Sequence, residues 1–489
     1  MGGGDLFAVG EIGDGAGDAQ DAVGGASRES QTIYRQKHVT YRQLIDRLEP
    51  RDSVAFGGWA GHPDGFIRAL NAQAEGLESL VFWSSFATSE ARFLNRSGVV
   101  TTTGFYGPWE RAARAGEGTV LYTPIQFTHA MESYRVGDPI DLFAVRVSPL
   151  RANGRFNASL SSSWEYRAIH WLKENRPETT IVFEVNPNLP AVRGLAQHGG
   201  NEYAIELPDL IVEDDSPPYL LPTPEPDDVA RGIASNVVAL VEDGSTLQLG
   251  FGTVPMMVGS FLRNHRHLGI HTEMFCDAHV DLIESGAVTN DRKGLYDGVS
   301  VATFAAGTEK LWRWVEDNPE FALLPVEEVN RTDVVARVRK LVSVNSALMV
   351  DLTGQTCAHC LGTKTYSGLG GAFEFTYGAQ LSPGGKGIVC LPSTTRLRDG
   401  RVVSNVVASY PRGTRITIPE HCIDWVVTEY GAARLKFLPL EQRAKALIEI
   451  AHPDFREVLE REAHDKDLDS HILRNSTPLP ETFFFRTGR

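Results

Sequence analysis

Glu273 is the side chain whose setting in this chain most suggests covalent chemistry. It lies in the run Leu268-Gly-Ile-His-Thr-Glu-Met-Phe-Cys-Asp277, where an apolar strand pattern over Leu268–Thr272 ends in a carboxylate. A carboxylate at the C-terminal end of a parallel strand points into the crevice where open α/β sheets bind ligands. Two glycine-rich stretches accompany it, Leu249-Gly-Phe-Gly-Thr253 upstream and Tyr366-Ser-Gly-Leu-Gly-Gly-Ala-Phe-Glu-Phe375 downstream. Such loops present backbone N–H groups to a developing oxyanion, so the set suggests acyl chemistry on a carboxylate nucleophile. Gly250-Phe-Gly252 falls between a strand pattern and a helix pattern, where backbone approaches a ligand closely. It lacks the third glycine of a dinucleotide fingerprint, and the downstream loop matches no Walker sequence.

Other chemistries fit less well. His271, Glu273, Asp277 and His279 are close in sequence, but 271 and 273 share a strand face while 277 and 279 open a helix, so the set has no ordinary metal spacing. Cys357-Ala-His-Cys360 has a zinc-knuckle spacing without a second pair, since Cys390 and Cys422 are isolated. The thiols are expected to be reduced packing groups in a cytoplasmic protein, and no metal is expected. Ser161-Ser-Ser163 and Ser367 lack the glycine elbow of a serine hydrolase.

The elements that must position these groups alternate. In the first half strands are expected near Ser53–Gly57, Leu80–Trp83, Leu142–Val147 and Thr180–Val185, with helices near Pro63–Glu75 and Trp164–Asn175. Six prolines over 208–226 mark an interdomain linker. Beyond it the sequence predicts a helix at Val229–Val241, a strand at Thr246–Leu249, a helix at Val254–Asn264, and a helix at Asp277–Ser285 capped by Gly286. Strands follow near Leu341–Val344, Gly387–Leu391 and Trp425–Thr428, and Phe373-Glu-Phe375 reads as strand-like. Leu440, Ala444, Leu447, Ile448 and Ala451 share a helix face. The pattern is that of an α/β layer fold with mostly parallel sheets. The domain reading is an acidic, Gly-rich, disordered tail over 1–28, an N-terminal domain over 29–207, the linker, and a C-terminal domain over 227–489 that carries Glu273.

Composition sets limits. The chain has 489 residues, 42% of them hydrophobic, and a net charge of −15. That balance disfavours general nucleic-acid binding, which wants a basic surface. No apolar run approaches the ~20 residues of a membrane span.

Many separate motifs in one order give the chain a family resemblance. Gly269-Ile-His-Thr-Glu-Met-Phe-Cys-Asp277, Val280-Asp-Leu-Ile-Glu284, Val344-Asn-Ser-Ala347, Asp351-Leu-Thr-Gly-Gln355, Leu391-Pro-Ser-Thr394, Val427-Thr-Glu-Tyr-Gly431, Arg443-Ala-Lys-Ala-Leu-Ile448 and Ala451-His-Pro-Asp-Phe-Arg456 together resemble the acetyl-CoA hydrolase/transferase family, 4-hydroxybutyrate coenzyme A transferase in particular. The likeness is strong over 243–456 and weaker in the first half, at Val147-Ser-Pro149 and Glu184-Val-Asn-Pro-Asn188.

The resemblance implies two similar open α/β halves with the active site between them. It implies coenzyme A transfer between a short-chain acyl-CoA and a free carboxylate, acetate or a 4-hydroxybutyrate-like acid, with acyl-CoA hydrolysis as the alternative. Coenzyme A is then a substrate, no cofactor is tightly bound, and the assembly is a homodimer. By the same resemblance Glu273 is the nucleophile, Phe251 and Gly371 donate amides to the oxyanion, Asn345 orients a carbonyl, and Glu429 is a supporting carboxylate. Coenzyme A contacts carry over to Gln248, Leu249, Gly250, Phe251, Gly252, Leu348, Gly371 and a basic residue after Pro-Ser-Thr, Arg396 or Arg398. One departure falls in the second glycine loop. The family pattern Gly-Gly-Gln-(Val/Leu)-Asp-Phe reads Gly370-Gly-Ala-Phe-Glu-Phe375 here, so Phe373 and Glu374 are expected to reshape the acyl pocket.

Overall fold

The computed structural model describes residues 25–73, 80–221, 225, 227–466 and 468, with the backbone of 484–486. Most of the tail expected over 1–28 lies outside the described residues. At its end Ala26 is buried and Ser27 caps the helix Arg28–Lys37.

Two seven-stranded sheets form the two halves. The first contains β1 (Ser53–Phe56), β2 (Val81–Trp83), β3 (Val100–Thr103), β4 (Thr119–Tyr122), β5 (Leu142–Val147), β6 (Thr180–Val185) and β7 (Leu210–Glu213), in the spatial order β4-β3-β2-β1-β5-β6-β7. Every pairing in it is parallel, for example Val54 with Leu142 and Leu142 with Thr180. Strands buried on both faces explain why Leu-Phe-Ala-Val-Arg-Val reads as a continuous run rather than an alternation. Phe143, Val145, Ile181 and Phe183 face one core, with Tyr34, Phe156 and Ile169 against them. Leu142, Ala144 and Val182 face the other, with Phe56, Phe66 and Phe82.

The second sheet contains β8 (Thr246–Leu249), β9 (Gly269–Ile270), β10 (Leu341–Ser346), β11 (Lys386–Cys390), β12 (Trp425–Thr428), β13 (Gly431–Arg434) and β14 (Phe484–Arg486), in the order β9-β8-β10-β11-β12-β13-β14. The first five are parallel, and β13 and β14 continue the sheet antiparallel. Helices Asp228–Val238, Thr253–Phe261, Ala372–Leu381 and Leu440–Ile450 carry buried faces. Leu247, Val344 and Ile388 share one core with Ile233 and Val258.

The halves are joined through backbone. Phe105 bridges Gly368, Ser161 bridges Phe304, and Val192 bridges Glu316. Arg111 adds a side-chain tie, lying 4.9 Å over the Tyr366 ring while Nη1 donates to the carbonyls of Tyr106 and Tyr366.

Three features differ from the sequence reading. β7 lies inside the proline-rich stretch, so the first sheet runs past residue 207. Prolines flank its Leu-Ile-Val-Glu core without interrupting it, and Asp214 just beyond is buried against Arg146 and Arg68. Phe373-Glu-Phe375 is helical, within Ala372–Leu381. β3 and β4 were not expected, because Val-Thr-Thr-Thr carries little apolar signal. Among the described residues no helix is long and apolar enough to cross a membrane.

Candidate active site

A cavity of about 480 Å³ opens where the two sheets meet. Gln248, Leu249, Gly250 and Phe251 reach it from the end of β8, and Asn345 to Leu348 from the end of β10. Trp59 reaches it beyond β1, and Ser84 to Phe86 beyond β2. These are the C-terminal ends of parallel strands, where open sheets leave a crevice.

Glu273 enters the same cavity from the segment after β9. Thr272 N–H donates to Val301 O at 3.1 Å, and Glu273 O accepts from Thr303 and Phe304, so the backbone on either side of the carboxylate is pinned. The side chain is half-buried. Asn330 Nδ2 donates to Glu273 Oε2 at 2.6 Å, and the Gly371 amide also donates to the carboxylate. Asn330 caps the short helix Val326–Val329 and is fully buried, so its amide is fixed in place. No sequence pattern pointed to Asn330. It stands 57 positions from Glu273 in no recognisable motif.

The glycines have steric reasons. A Cβ on Gly371 would lie 2.1 Å from Glu273 Oε2 and 2.4 Å from Asn330 Nδ2. A Cβ on Gly250 would lie 2.9 Å from Asn345 Oδ1 and 3.0 Å from Val344 O. Gly250 N–H is engaged by Val344 O at 2.8 Å, whereas Phe251 N–H has no partner among the described residues. Gln248 and Asn345 exchange a reciprocal pair of amide hydrogen bonds at 3.2 and 3.1 Å. That pairing satisfies a glutamine in the wholly buried strand β8 and fixes the Asn345 amide at the cavity wall.

The structure thus brings Glu273, Gln248, Leu249, Gly250, Phe251, Asn345, Leu348 and Gly371 together. Gly252 is adjacent but does not line the cavity. Glu429 lies elsewhere, accepting from Ser393 N at 2.9 Å and Ser393 Oγ at 2.5 Å, so it braces the Pro392-Ser393-Thr394 loop rather than the reacting centre. Arg396 sits on the exposed hairpin Thr394–Arg396/Val402–Ser404, with Nη1 donating to Gly400 O at 3.2 Å. It does not line the cavity, and neither does Arg398. Phe373 stacks on Tyr377 at 5.8 Å, away from the pocket it was expected to reshape. The helix turns it there, since only a strand would have set residues 373 and 375 on one face and 374 on the other.

Other sequence candidates have structural partners. His271 Nε2 is 2.8 Å from Val329 O, and His279 Nδ1 accepts Cys276 N–H at 3.1 Å. Cys357 and Cys360 face each other as buried thiols with Sγ atoms 3.3 Å apart.

Burial pushes the Glu273 carboxyl up to about 7, and the Glu374 carboxylate pushes the same way, while the Asn330 and Gly371 hydrogen bonds oppose them. Glu374 is itself buried and raised to about 7, chiefly by desolvation, with Thr128 Oγ1 donating to it at 3.2 Å from the other half of the chain. A carboxylate must be ionised to act as a nucleophile, so any acylation of Glu273 is expected to speed up as pH rises through about 7. Glu374→Gln removes a like charge and should move that rise to lower pH, raising the ratio of the rate at pH 6 to that at pH 8 roughly threefold. Pre-steady-state acylation rates across pH check this, and an unmoved profile counts against the coupling.

The chain is similar to known enzymes over most of its length. It is 35% identical over 438 residues to the succinyl-CoA:cyclohexane-1-carboxylate CoA transferase of Geobacter metallireducens, covering 89% of this chain and 97% of that protein. The crystal structure of RipA from Yersinia pestis shares the fold with a TM-score of 0.81 at 30% identity, covering 90% of this chain and 99% of the other. The 4-hydroxybutyrate CoA-transferase structure from Porphyromonas gingivalis does so with a TM-score of 0.70 at 31% identity, covering 89% and 99%. A model of the acetyl-CoA hydrolase/transferase C-terminal domain matches residues 307–463. The fold is therefore that of a CoA-transferase-type α/β enzyme. The chain belongs to the acetyl-CoA hydrolase/transferase family.

Proposed function

We propose that this enzyme moves coenzyme A between an acyl-CoA and a free carboxylate in a ping-pong reaction through Glu273. The observation that carries the proposal is the Glu273 carboxylate held by Asn330 and the Gly371 amide, in one cavity with the Phe251 loop.

A Glu273 oxygen attacks the thioester carbonyl, and the electron pair moves onto the carbonyl oxygen. The Phe251 amide, and the Gly371 amide as the attack spends the carboxylate charge it now bonds, are the donors offered to that oxyanion, each worth ~3–4 kcal/mol in comparable sites. The C–S bond then breaks, releasing the coenzyme A thiolate and leaving an acyl-glutamyl anhydride. The thiolate attacks the glutamyl carbonyl, the first carboxylate departs, and a glutamyl–CoA thioester remains. A second carboxylate attacks that thioester and reverses the sequence. Asn345, locked by Gln248, orients the carbonyl. Gln248 to Phe251, Leu348 and Gly371, which line the cavity, are proposed to face the pantetheine thiol, with Gly252 just beyond them. Arg396 on its hairpin is the cation proposed for coenzyme A phosphate, a task that guanidinium geometry suits.

Transfer and hydrolysis differ only in what attacks the glutamyl thioester. The apolar wall around Glu273 disfavours water there, which supports transfer. With an acyl-CoA and isotopically labelled acetate, labelled acetyl-CoA should form while total thioester stays constant. Thioester loss at one rate with or without acetate would make the enzyme a hydrolase.

A further inference from the structure

Three rings stand in a stack beside the Glu273 segment. Trp59 stacks on Phe86 with centroids 4.0 Å apart and planes 16° apart, and on Phe304 at 4.8 Å and 17°. All three line the cavity. Phe304 N–H donates to Glu273 O at 3.2 Å, so the stack begins at the backbone of the proposed nucleophile. Phe105 continues the wall. A Cβ placed on Gly370 would be 3.7 Å from its ring and 3.8 Å from Glu273 Oε1, so ring and carboxylate flank one position.

The backbone is strained to make this stack. Trp59 has φ 51° and Phe86 has φ 55°, the left-handed region that bulky residues rarely adopt. Two such residues in mutual contact, each one turn beyond a strand end at the crevice, mark a place where packing holds an unfavourable conformation at a functional site.

Charge is scarce on the same wall. Arg111 is the one basic side chain among the described residues that line the cavity, and its Nη1 is engaged by two carbonyls. A dicarboxylic acid would place its far carboxylate among rings, where burying an unpaired charge is strongly unfavourable.

We propose that the acyl group this enzyme carries is a bulky, uncharged hydrocarbon, ring-bearing or branched, and that Trp59 and Phe86 set that choice. The inference rests on the catalytic reading above and goes further by naming the substrate class.

The test is a substrate panel on the full-length enzyme, with acetyl-CoA as donor and 3-phenylpropanoate, 4-methylpentanoate, succinate or propionate as acceptor. The expected kcat/KM for 3-phenylpropanoate and 4-methylpentanoate exceeds that for succinate by roughly 100-fold and that for propionate by about tenfold. Succinate used as well as either bulky acid overturns the proposal. In Trp59→Ala and Phe86→Leu the 3-phenylpropanoate-to-propionate ratio should fall roughly tenfold, and an unchanged ratio also overturns it. Borohydride trapping at position 273 separates the two levels. Trapping without bulky-acid preference removes this inference alone, and failure to trap removes the catalytic reading with it.

Discussion

Glu273→Ala is expected to lower exchange between acyl-CoA and a free carboxylate by at least about 10⁴-fold, because the chain loses the atom proposed to form the covalent bond. Coenzyme A affinity should change by less than about threefold, since the Gln248 to Gly252 segment and Leu348, the proposed coenzyme A contacts, belong to the ends of β8 and β10 and the turns beyond them. Glu273→Gln sharpens the point. An amide keeps the shape and can still bond Asn330, but it does not attack a thioester. If the Gln variant kept a substantial fraction of activity, the carboxylate would be a structural group and not the nucleophile. Rapid-quench exchange assays with calorimetric coenzyme A titration read both quantities.

Gly371→Ala should be nearly as damaging with a far smaller chemical change. Its Cβ would sit 2.1 Å from Glu273 Oε2 and 2.4 Å from Asn330 Nδ2, well inside contact distance. Either the carboxylate swings away or the loop retreats and takes the amide donor with it. Misplacing a reacting group by about 1 Å costs on the order of 10²-fold, and losing one oxyanion donor costs 10²–10³-fold. A fall in kcat of roughly 10²- to 10³-fold is therefore expected, with melting temperature little changed because the loop borders the cavity. Activity within a few-fold of the unaltered enzyme would mean that the Gly371 loop moves off Glu273 before reaction.

Much of this site was legible in the sequence, for physical reasons. Glu273 stands out because an apolar strand ending in a carboxylate is costly to bury without purpose. The Gly250 and Gly371 turns stand out because glycine tolerates close approach. Strands such as Leu142–Val147, Thr180–Val185 and Trp425–Thr428 carry runs of apolar residues that only a doubly covered sheet explains.

What escaped notice lacks local signal. Asn330 acts across 57 residues, and a lone asparagine after a short helix looks like any cap. The ring stack unites residues 59, 86 and 304, whose meeting is decided by tertiary packing. Phe-Glu-Phe is too short for its alternation to separate strand from helix, and the glycines before it suggest a turn rather than a helix start. Glu429 and Arg396 were placed by motif alone. The structure sets both outside the cavity, where one braces a loop and the other lies on an open hairpin.

The central claim is a glutamyl thioester at one position. Enzyme incubated with acyl-CoA, reduced with borohydride and digested should yield a peptide in which Glu273 has become the corresponding alcohol, found by tandem mass spectrometry and absent without acyl-CoA. The same experiment with unmodified Glu273, under conditions where exchange proceeds at full rate, would contradict the account.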